Sequence, residues 1–447
     1  MGTYVPNTSK EQQEMLQALG VSSFRELFRA VPEGVYLEDE LKLERGLSEF
    51  EVRRRMSQTA ARNQVFGSIF RGAGAYHHYI PSIVSQITSK EEFMTAYTPY
   101  QAEISQGILQ SIFEYQTMIC ELTGMEVSNA SVYDGATAAA EAVIMCRERN
   151  RRKALISATV HPQTIEVIKT YCCGTDIEVE VVPSKEGRTD LESLKSMADS
   201  ETACILIQQP NFYGLLEDAD AVGAITSGTE IKYIMSCYPI SLGLLKAPRE
   251  YGADIAVGEG QPLGIPLSYG GPYLGFMATT EKLMRRLPGR IAGETTDGKG
   301  NRTFVLTLQA REQHIRREKA SSNICSNQAL CAMTAAVYLD AMGRRGLQQA
   351  AELSMSKAHY LAQRICELEG FVMKYPGEYF NEFVTDFTGN VDNLLEGLAQ
   401  RGILGGYPLE GEQTGAILWC ATEMNTREEI DALIDGMKEV LANEADI

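Results

Sequence analysis

Strands and helices alternate along the middle of this 447-residue chain, and this order constrains the fold more than any other feature of the sequence. Apolar strand-like runs begin near residues 154, 178, 203 and 232, and helical patterns at 162–171, 191–197 and 218–226 separate them. Helices placed between successive strands allow neighbouring strands to run in the same direction. The alternation therefore predicts an open α/β sheet with mainly parallel strands.

The stretch from 252 to 276, GADIAVGEGQPLGIPLSYGGPYLGF, follows this alternation and is the most informative part of the sequence. Its composition predicts a buried strand at 254–257, a loop at 258–269 and a second strand at 270–280. Similar order occurs in fold-type I enzymes of pyridoxal phosphate (PLP), whose loop carries a lysine that forms a Schiff base with the cofactor. The sequence contains no lysine between Lys246 and Lys282. We therefore expect no cofactor-binding residue, and no covalently bound PLP, in this chain.

Three further positions bear on the same question. Asp134 stands where a helix begins, so we expect it to cap a helix whose N-terminus would bind the cofactor phosphate in such enzymes. Residues 236–238 end a strand without the carboxylate that usually faces the pyridine nitrogen. His161 falls where an aromatic residue would stack on the cofactor, and we expect a packed or hydrogen-bonded histidine there.

A dinucleotide site is the alternative interpretation of the same loop, because Gly258, Gly260 and Gly264 follow a predicted strand. Their spacing is GxGxxxG, whereas the dinucleotide fingerprint is GxGxxG followed by a helix. Pro262 and Pro266 interrupt any helix after the glycines. These features argue against a Rossmann site.

The sequence predicts three segments. Residues 1–65 form an amphipathic helical arm, 66–326 a large α/β domain with a pseudo-active site, and 327–447 a small α+β C-terminal domain. The arm is expected to lie on a partner or on the main body. We find neither a secretory signal nor an apolar run long enough to span a membrane, which predicts a cytoplasmic protein.

Composition excludes several functions. The net charge of −18 disfavours binding to nucleic acid or to an anionic membrane. The ten cysteines and five histidines show no metal-ligand spacing, so we expect reduced thiols and no metal site. One basic stretch, Arg311–Lys319, is either a solvated helix face or a cationic rim beside an anionic substrate or partner.

Two loops are rich in polar aromatic residues, at 71–79 and 95–103. Pro81 and Pro99 prevent long helices there, and polar aromatic residues clustered in loops often form sites. Loops that simply pack on the core are the alternative. The candidate site residues are Tyr76, His77, His78, Tyr97, Thr98, Tyr100, Gln101 and Glu103.

Several long segments resemble the glycine cleavage system P-protein (glycine decarboxylase), and in particular the alpha subunit, or subunit 1, of its two-chain bacterial form. The resemblance rests on six stretches that span most of the chain: residues 72–81, 95–107, 113–125, 133–142, 252–276 and 306–330. It implies a fold-type I PLP-dependent transferase architecture in a subunit that does not hold PLP. The beta subunit (subunit 2) would hold the cofactor.

The resemblance also implies the reaction. The complex would decarboxylate glycine and transfer the aminomethyl group to the lipoyl arm of H-protein, and this chain alone would be inactive. The eight candidate residues would complete the partner's active site from the side. Two alternatives remain open: a PLP enzyme that acts alone through a lysine elsewhere, and a scaffold that assembles the partner without contributing to its site.

Overall fold

The computed structural model describes residues 7–37, 41–44, 46–94, 98–320 and 322–445. The predicted alternation produces a seven-stranded sheet. In chain order its strands are β1 (Val127–Ser128), β2 (Lys153–Ser157), β3 (Glu178–Val182), β4 (Thr202–Gln209), β5 (Lys232–Cys237), β6 (Ile255–Glu259) and β7 (Gly275–Thr279). Their order across the sheet is β1-β7-β6-β5-β4-β2-β3.

The five strands from β6 to β3 are all parallel, whereas β7 is antiparallel to both β6 and β1. Nearly every residue of β4 is buried, as expected for a central strand covered by helices on both faces. Apolar clusters lie on the two faces of this sheet, one around Tyr233 and Phe276 and the other around Ile156 and Val257. The prediction of a mainly parallel sheet is confirmed.

Helices connect and cover these strands. Apolar residues recur every three to four positions from 105 to 122, which predicts a helix ended by Gly124, and Gly124 does end it in the left-handed conformation, at φ 71°. From residue 65 onward the α-helices are Ser82–Thr88, Gln106–Thr123, Gly135–Met145, Pro162–Cys172, Leu191–Met197, Ala219–Thr226, Gln313–Arg316, Ala329–Cys366, Val391–Gln400 and Arg427–Ala445.

Smaller sheets complete the body. The C-terminal region has an antiparallel sheet of Phe371–Met373, Glu382–Phe387, Ala416–Cys420 and Tyr407–Pro408, packed on helices around the buried Trp419. Two hairpins pair Ser184–Lys185 with Arg188–Thr189 and Ile291–Thr296 with Arg302–Thr307. Ser68–Ile69 pairs in parallel with Ile403–Leu404.

The chain divides into two units, residues 1–64 and 65–447. The first unit contains the α-helices Ser9–Ala18, Phe24–Leu27 and Glu49–Ala60, and Thr8 and Ser48 form capping boxes at two of them. Most of its large apolar side chains are exposed, including Phe28 at 50% and Phe50 at 74%. The division of 65–447 into two domains at residue 326 stays a prediction.

Three sequence-based boundaries were wrong. The apolar positions in the charged run 38–56 predict a helix there, but the helix begins only at Glu49, where Ser48 caps it. The strand expected from 270 begins at Gly275, because the turn around Pro272 precedes it. The apolar run 327–342 predicts a helix that ends at 342, but the helix continues to Cys366 through a kink at Gly343, a residue that tolerates the φ of 57° found there. Within the described residues, no helix combines the length and the apolar character needed to cross a membrane.

Candidate functional site

A cavity of about 300 Å³ lies where the parallel strands β4, β5 and β6 end. Ligands of open α/β sheets bind in this position, outside the carboxyl ends of the strands. The loop at 71–79 and the N-terminus of the helix Gly135–Met145 form further walls. The polar lining residues are Tyr76, Asp134, His161, Gln163, Thr164, Gln208, Asn211, Ser236, Tyr238, Glu259, Tyr273, Asn381 and Glu382.

Carboxylates occupy the N-terminus of the helix Gly135–Met145. Asp134 Oδ1 accepts a hydrogen bond of 2.7 Å from the backbone N–H of Thr137, which confirms the predicted N-cap. Glu259 Oε2 accepts one of 2.9 Å from the backbone N–H of Gly135. A Cβ at Gly135 would lie 2.7 Å from the backbone nitrogen of Glu259, so only glycine permits this approach. Two side-chain anions therefore fill the place where this fold offers N–H groups to a phosphate.

Glu259 is held by its other oxygen as well. Oε1 accepts hydrogen bonds from the backbone N–H groups of Gln261, at 2.9 Å, and Leu274, at 3.0 Å. Burial raises the pKa of this carboxyl to about 7, and the three backbone N–H groups limit the rise. Glu259 thus joins the helix to the loop that follows β6. Its carboxyl group lies at the helix N-terminus, where this fold would bind a phosphate.

Glu382 ties the first tyrosine-rich loop to the C-terminal region. Its Oε2 accepts a hydrogen bond of 2.7 Å from the Tyr76 hydroxyl, and its Oε1 accepts one of 2.7 Å from the backbone N–H of Ala73. Burial raises the pKa of the Glu382 carboxyl to about 7. The Gln261 side chain accepts a hydrogen bond from the Tyr76 N–H and donates one to the Tyr76 carbonyl, at 3.2 and 3.1 Å. Tyr76 is therefore fixed at both its backbone and its hydroxyl.

His78 lies buried beside Tyr76 and does not line the cavity. Its Nδ1 is 2.7 Å from Glu423 Oε2, and its Nε2 contacts the Tyr238 hydroxyl. Burial alone would raise the pKa of Glu423, but the hydrogen bond and charge of His78 hold it below its usual range. His77 points the other way and its side chain is exposed. Of the three candidates on this loop, one lines the cavity, one supports it and one faces outward.

His161 lines the cavity and is fully engaged with protein groups. Its Nε2 donates to the carbonyl of Ala73 at 3.0 Å, and its Nδ1 accepts from the N–H of Gln163 at 3.2 Å. The ring packs edge-on against Phe212, with centroids 4.9 Å apart. Burial lowers its pKa. These contacts confirm the prediction of a packed, hydrogen-bonded histidine.

The described part of the second tyrosine-rich loop, from Thr98 onward, does not line this cavity. Tyr97 lies outside the described residues. Thr98 is half-buried, whereas Tyr100, Gln101 and Glu103 are exposed. The Tyr100 hydroxyl accepts a hydrogen bond of 2.7 Å from Arg290 Nη2, and its ring lies 6.3 Å from that of His314. The structure thus joins this loop to the basic stretch, which the sequence treated as a separate feature.

The basic stretch Arg311–Lys319 is only partly a solvated surface. Arg311 donates to the backbone carbonyls of Leu308, at 3.0 Å, and Gly289, at 2.8 Å, so it is structural. Arg316, Arg317 and Lys319 are exposed. These three exposed side chains are therefore the ones that could form either a solvated face or a cationic rim.

Apart from Asp134, sequence reasoning missed the acidic residues of the site, which are Glu259, Glu382 and Glu423. Glu259 had a usable signal, because it follows the predicted strand of the most informative stretch, at the end where ligands bind. Glu382 and Glu423 lie more than 300 residues from the loop that they hold, and nothing in their local sequence marks them. Only the folded chain brings them to Tyr76 and His78.

The residues present do not fit PLP. No lysine lines the cavity among the residues that the structure describes. The donors at the helix N-terminus already bind Asp134 and Glu259, and these carboxylates would repel a phosphate. The end of β5 offers Ser236, Cys237 and Tyr238, none of which can pair with a pyridinium nitrogen as a carboxylate does.

Fold and cavity together define a protein of the fold-type I class of PLP-dependent enzymes whose own cavity lacks the groups that hold PLP. A sphingosine-1-phosphate lyase from Burkholderia pseudomallei has the same fold with a TM-score of 0.66 at 13% identity, covering 92% of this chain and 94% of the lyase. A glutamate decarboxylase from Lactobacillus brevis has the same fold with a TM-score of 0.68 at 14% identity, covering 94% of this chain and 97% of the decarboxylase.

The chain belongs to the glycine cleavage system P-protein family, which it matches over residues 2–437. A relative from Moorella thermoacetica, called probable glycine dehydrogenase (decarboxylating) subunit 1, is 50% identical and covers 98% of this chain and 100% of its own length. The relative of the same name from Carboxydothermus hydrogenoformans is 51% identical, covering 97% and 98%. The crystal structure of an inhibitor-bound glycine decarboxylase (P-protein) is 41% identical with a TM-score of 0.92, covering 98% of this chain and 100% of that one.

Proposed function

We propose that this chain is the subunit of a two-subunit glycine decarboxylase that does not hold PLP. Together with a beta subunit that holds the cofactor, it decarboxylates glycine in the cytoplasm and passes the aminomethyl group to the lipoyl arm of H-protein. The enzyme is a glycine dehydrogenase (aminomethyl-transferring), and this chain alone is inactive. The name "subunit 1" carried by its relatives supports a partner subunit.

The hydrogen bond from the Gly135 N–H to the Glu259 carboxylate carries this proposal. In this fold the cofactor phosphate needs the N–H groups of that helix, and here a protein carboxylate already uses them. The cavity keeps the position of an active site, but no lysine lines it among the described residues, and the N–H groups of Gly135 and Thr137 are already bonded to protein carboxylates. We therefore propose that the catalytic chemistry comes from another chain, and the name "subunit 1" carried by the relatives supports a partner subunit in that role.

The candidate residues then have distinct roles. Tyr76 and His78 hold the shape of this chain's own cavity, because both are buried and hydrogen-bonded within it. His77, Tyr100, Gln101 and Glu103 are exposed, and exposed side chains are available to a partner. We propose that these four residues, together with the half-buried Thr98 and with Tyr97, which lies outside the described residues, form the edge of the partner's active site.

Co-expression with and without the beta subunit tests the proposal. We expect glycine–bicarbonate exchange only from the complex, and stoichiometric phosphopyridoxyl label only on the partner after borohydride reduction with PLP and peptide mapping. The exchange assay performed on the partner alone is the control. A stoichiometric label on any lysine of this chain, or exchange activity from this chain alone, would overturn the proposal.

Assays of the same complex also test the alternative that this chain is a scaffold, which assembles the partner but contributes no pocket residue. The tyrosine loop of a scaffold can be changed without loss of activity per assembled complex, provided that assembly is retained. The pocket edge proposed above instead requires a loss of glycine turnover with assembly intact. Size-exclusion chromatography beside the exchange assay distinguishes the two outcomes.

A further inference from the structure

We propose that the Tyr100 hydroxyl, positioned by Arg290, binds an anionic oxygen of the ligand in the partner's active site. The class of ligand is an oxyanion, namely the carboxylate of glycine or the phosphate of the cofactor. This inference rests on the proposed function, since the ligand lies in the assembled complex. It assigns to one residue of the exposed loop a specific task, and it adds Arg290 as a positioning residue.

Arg290 is a buried cation with no counter-ion among the described residues. It donates hydrogen bonds to two neutral oxygens, from Nη1 to Ser326 Oγ at 3.2 Å and from Nη2 to the Tyr100 hydroxyl at 2.7 Å. The residue is only 3% exposed. Across the described ranges, no carboxylate is among its partners, and its buried Nε has no hydrogen-bond acceptor. Arg311 differs, because its Nε and Nη2 both donate to backbone carbonyls.

Such an arrangement is unfavourable unless a negative charge completes it. Burying a guanidinium without a partner carries a large desolvation cost, which a charged, hydrogen-bonded acceptor offsets. The chain supplies neutral hydroxyls here, although it contains 59 acidic residues against 41 basic ones. We therefore infer that the anion comes from outside the chain. The side chain that binds this anion must lie next to Arg290.

Tyr100 is that group. Because its oxygen accepts the hydrogen bond from Arg290, its own hydrogen is directed elsewhere, and it finds no acceptor in the part of the chain that the structure describes. The side chain is 55% exposed, and the guanidinium carbon lies 4.9 Å from the ring centroid. A hydroxyl that accepts from a cation becomes a stronger donor, since hydrogen bonds in series polarise one another. The exposed O–H is thus prepared for an anionic acceptor.

The surroundings favour the same ligand. Ser326, the other acceptor of Arg290, also lines a cavity of about 410 Å³ together with Tyr133 and Asn327. His314 packs its ring near Tyr100, and the exposed Arg316 and Arg317 follow it in the chain. A cavity therefore lies beside the second acceptor of Arg290, and the stretch that packs against Tyr100 carries exposed cations, which favour a small oxyanion.

The test uses the assembled two-subunit complex with Tyr100→Phe, Arg290→Lys and Arg290→Met. We expect Tyr100→Phe to weaken one ligand about 10-fold without changing the melting temperature of the complex. Arg290→Met should weaken the same ligand at least as much, and Arg290→Lys should restore part of the loss because it keeps the charge but not the planar fork. Tyr79→Phe is the matched control, since Tyr79 is 54% exposed on the first loop and its hydroxyl has no partner among the described residues.

Two measurements identify the source of the anion. The KM for glycine reports on the carboxylate, and titration of the cofactor-free complex with PLP, followed by visible absorbance, reports on the phosphate. A rise in KM with unchanged PLP affinity supports the carboxylate, and a loss of PLP affinity supports the phosphate. An active wild-type complex in which Tyr100→Phe changes neither quantity overturns this inference alone. A wild-type complex without exchange activity overturns the proposed function itself.

Discussion

The two tyrosine-rich loops have similar composition but are used in opposite ways. The loop at 71–79 is tied to the protein body by carboxylates, through Glu382 at Tyr76 and Glu423 at His78. The loop at 98–103 has a buried cation behind it, Arg290, and a half-exposed tyrosine in front. The buried side chains of the first loop, Tyr76 and His78, are hydrogen-bonded within the chain, whereas Tyr100 of the second loop presents a hydroxyl that finds no acceptor among the described residues. The predictions below test this difference.

The difference teaches how a subunit can retain an active-site fold without a cofactor. Around the cavity that the first loop lines, protein carboxylates accept hydrogen bonds from backbone N–H groups, Glu259 from Gly135 and Glu382 from Ala73. In the second region the Arg290 cation has no carboxylate partner among the described residues. We infer that the first region serves stability and that the second serves the assembled complex.

The largest effect is expected from Glu382→Ala. Removing this carboxylate leaves the buried Tyr76 hydroxyl and the Ala73 N–H without their acceptor, and leaving two such groups unsatisfied costs about 3 kcal/mol. Urea denaturation of the isolated chain measures this loss. Glu382→Gln, which keeps the volume and one acceptor oxygen, should lose less. A stability within error of the wild type for Glu382→Ala would show that the first loop is not held by this residue.

The free energy of unfolding, measured as a function of pH for the wild type and for Glu382→Gln, tests the role of this carboxyl further. The pKa of the folded carboxyl, about 7, lies above the unfolded value of 4.5, so its contribution favours folding at low pH and is lost as pH rises through 7. The wild type should therefore lose about 2 kcal/mol relative to Glu382→Gln from about pH 5.5 to about pH 7.5. Tyr100→Phe, measured in parallel, should show the wild-type slope. Equal slopes for Glu382→Gln and the wild type would contradict the prediction.

Substitutions in the second loop should change catalysis instead of stability. We expect Tyr97→Phe, in the assembled complex, to lower kcat/KM for glycine by about 10-fold, or about 1.4 kcal/mol of transition-state stabilisation. Pro99 fixes the backbone of this loop, and a rigid tyrosine there can exclude larger amino acids while offering a hydroxyl to the substrate. PLP occupancy and assembly should not change. If activity falls only in proportion to lost assembly, the loop is scaffold.

The sequence predicted the fold well because the signals for it are local. The alternation from 153 to 280, the cap at Asp134 and the left-handed Gly124 each depend on neighbouring residues. The site depends on contacts across the chain, such as Tyr76 with Glu382 and Tyr100 with Arg290. No periodicity reports such pairs. The sequence therefore predicted the local cap at Asp134, but not the buried carboxylates of Glu259 and Glu382 that bond the walls of the cavity.

The smallest effect is expected from Tyr76→Phe, which we compare with the same tyrosine-to-phenylalanine substitution at Tyr100 in the other loop. Tyr76→Phe removes one buried hydrogen bond to Glu382 and should cost about 1 kcal/mol of unfolding free energy. Its ring still packs against Tyr238, whose centroid is 4.5 Å away, so the cavity should keep its shape. The kinetics of the complex with glycine should be those of the wild type, whereas Tyr100→Phe should show the reverse pattern. A Tyr76→Phe complex of normal stability but reduced glycine turnover would mean that the first loop reaches the ligand, and that the two loops share one function.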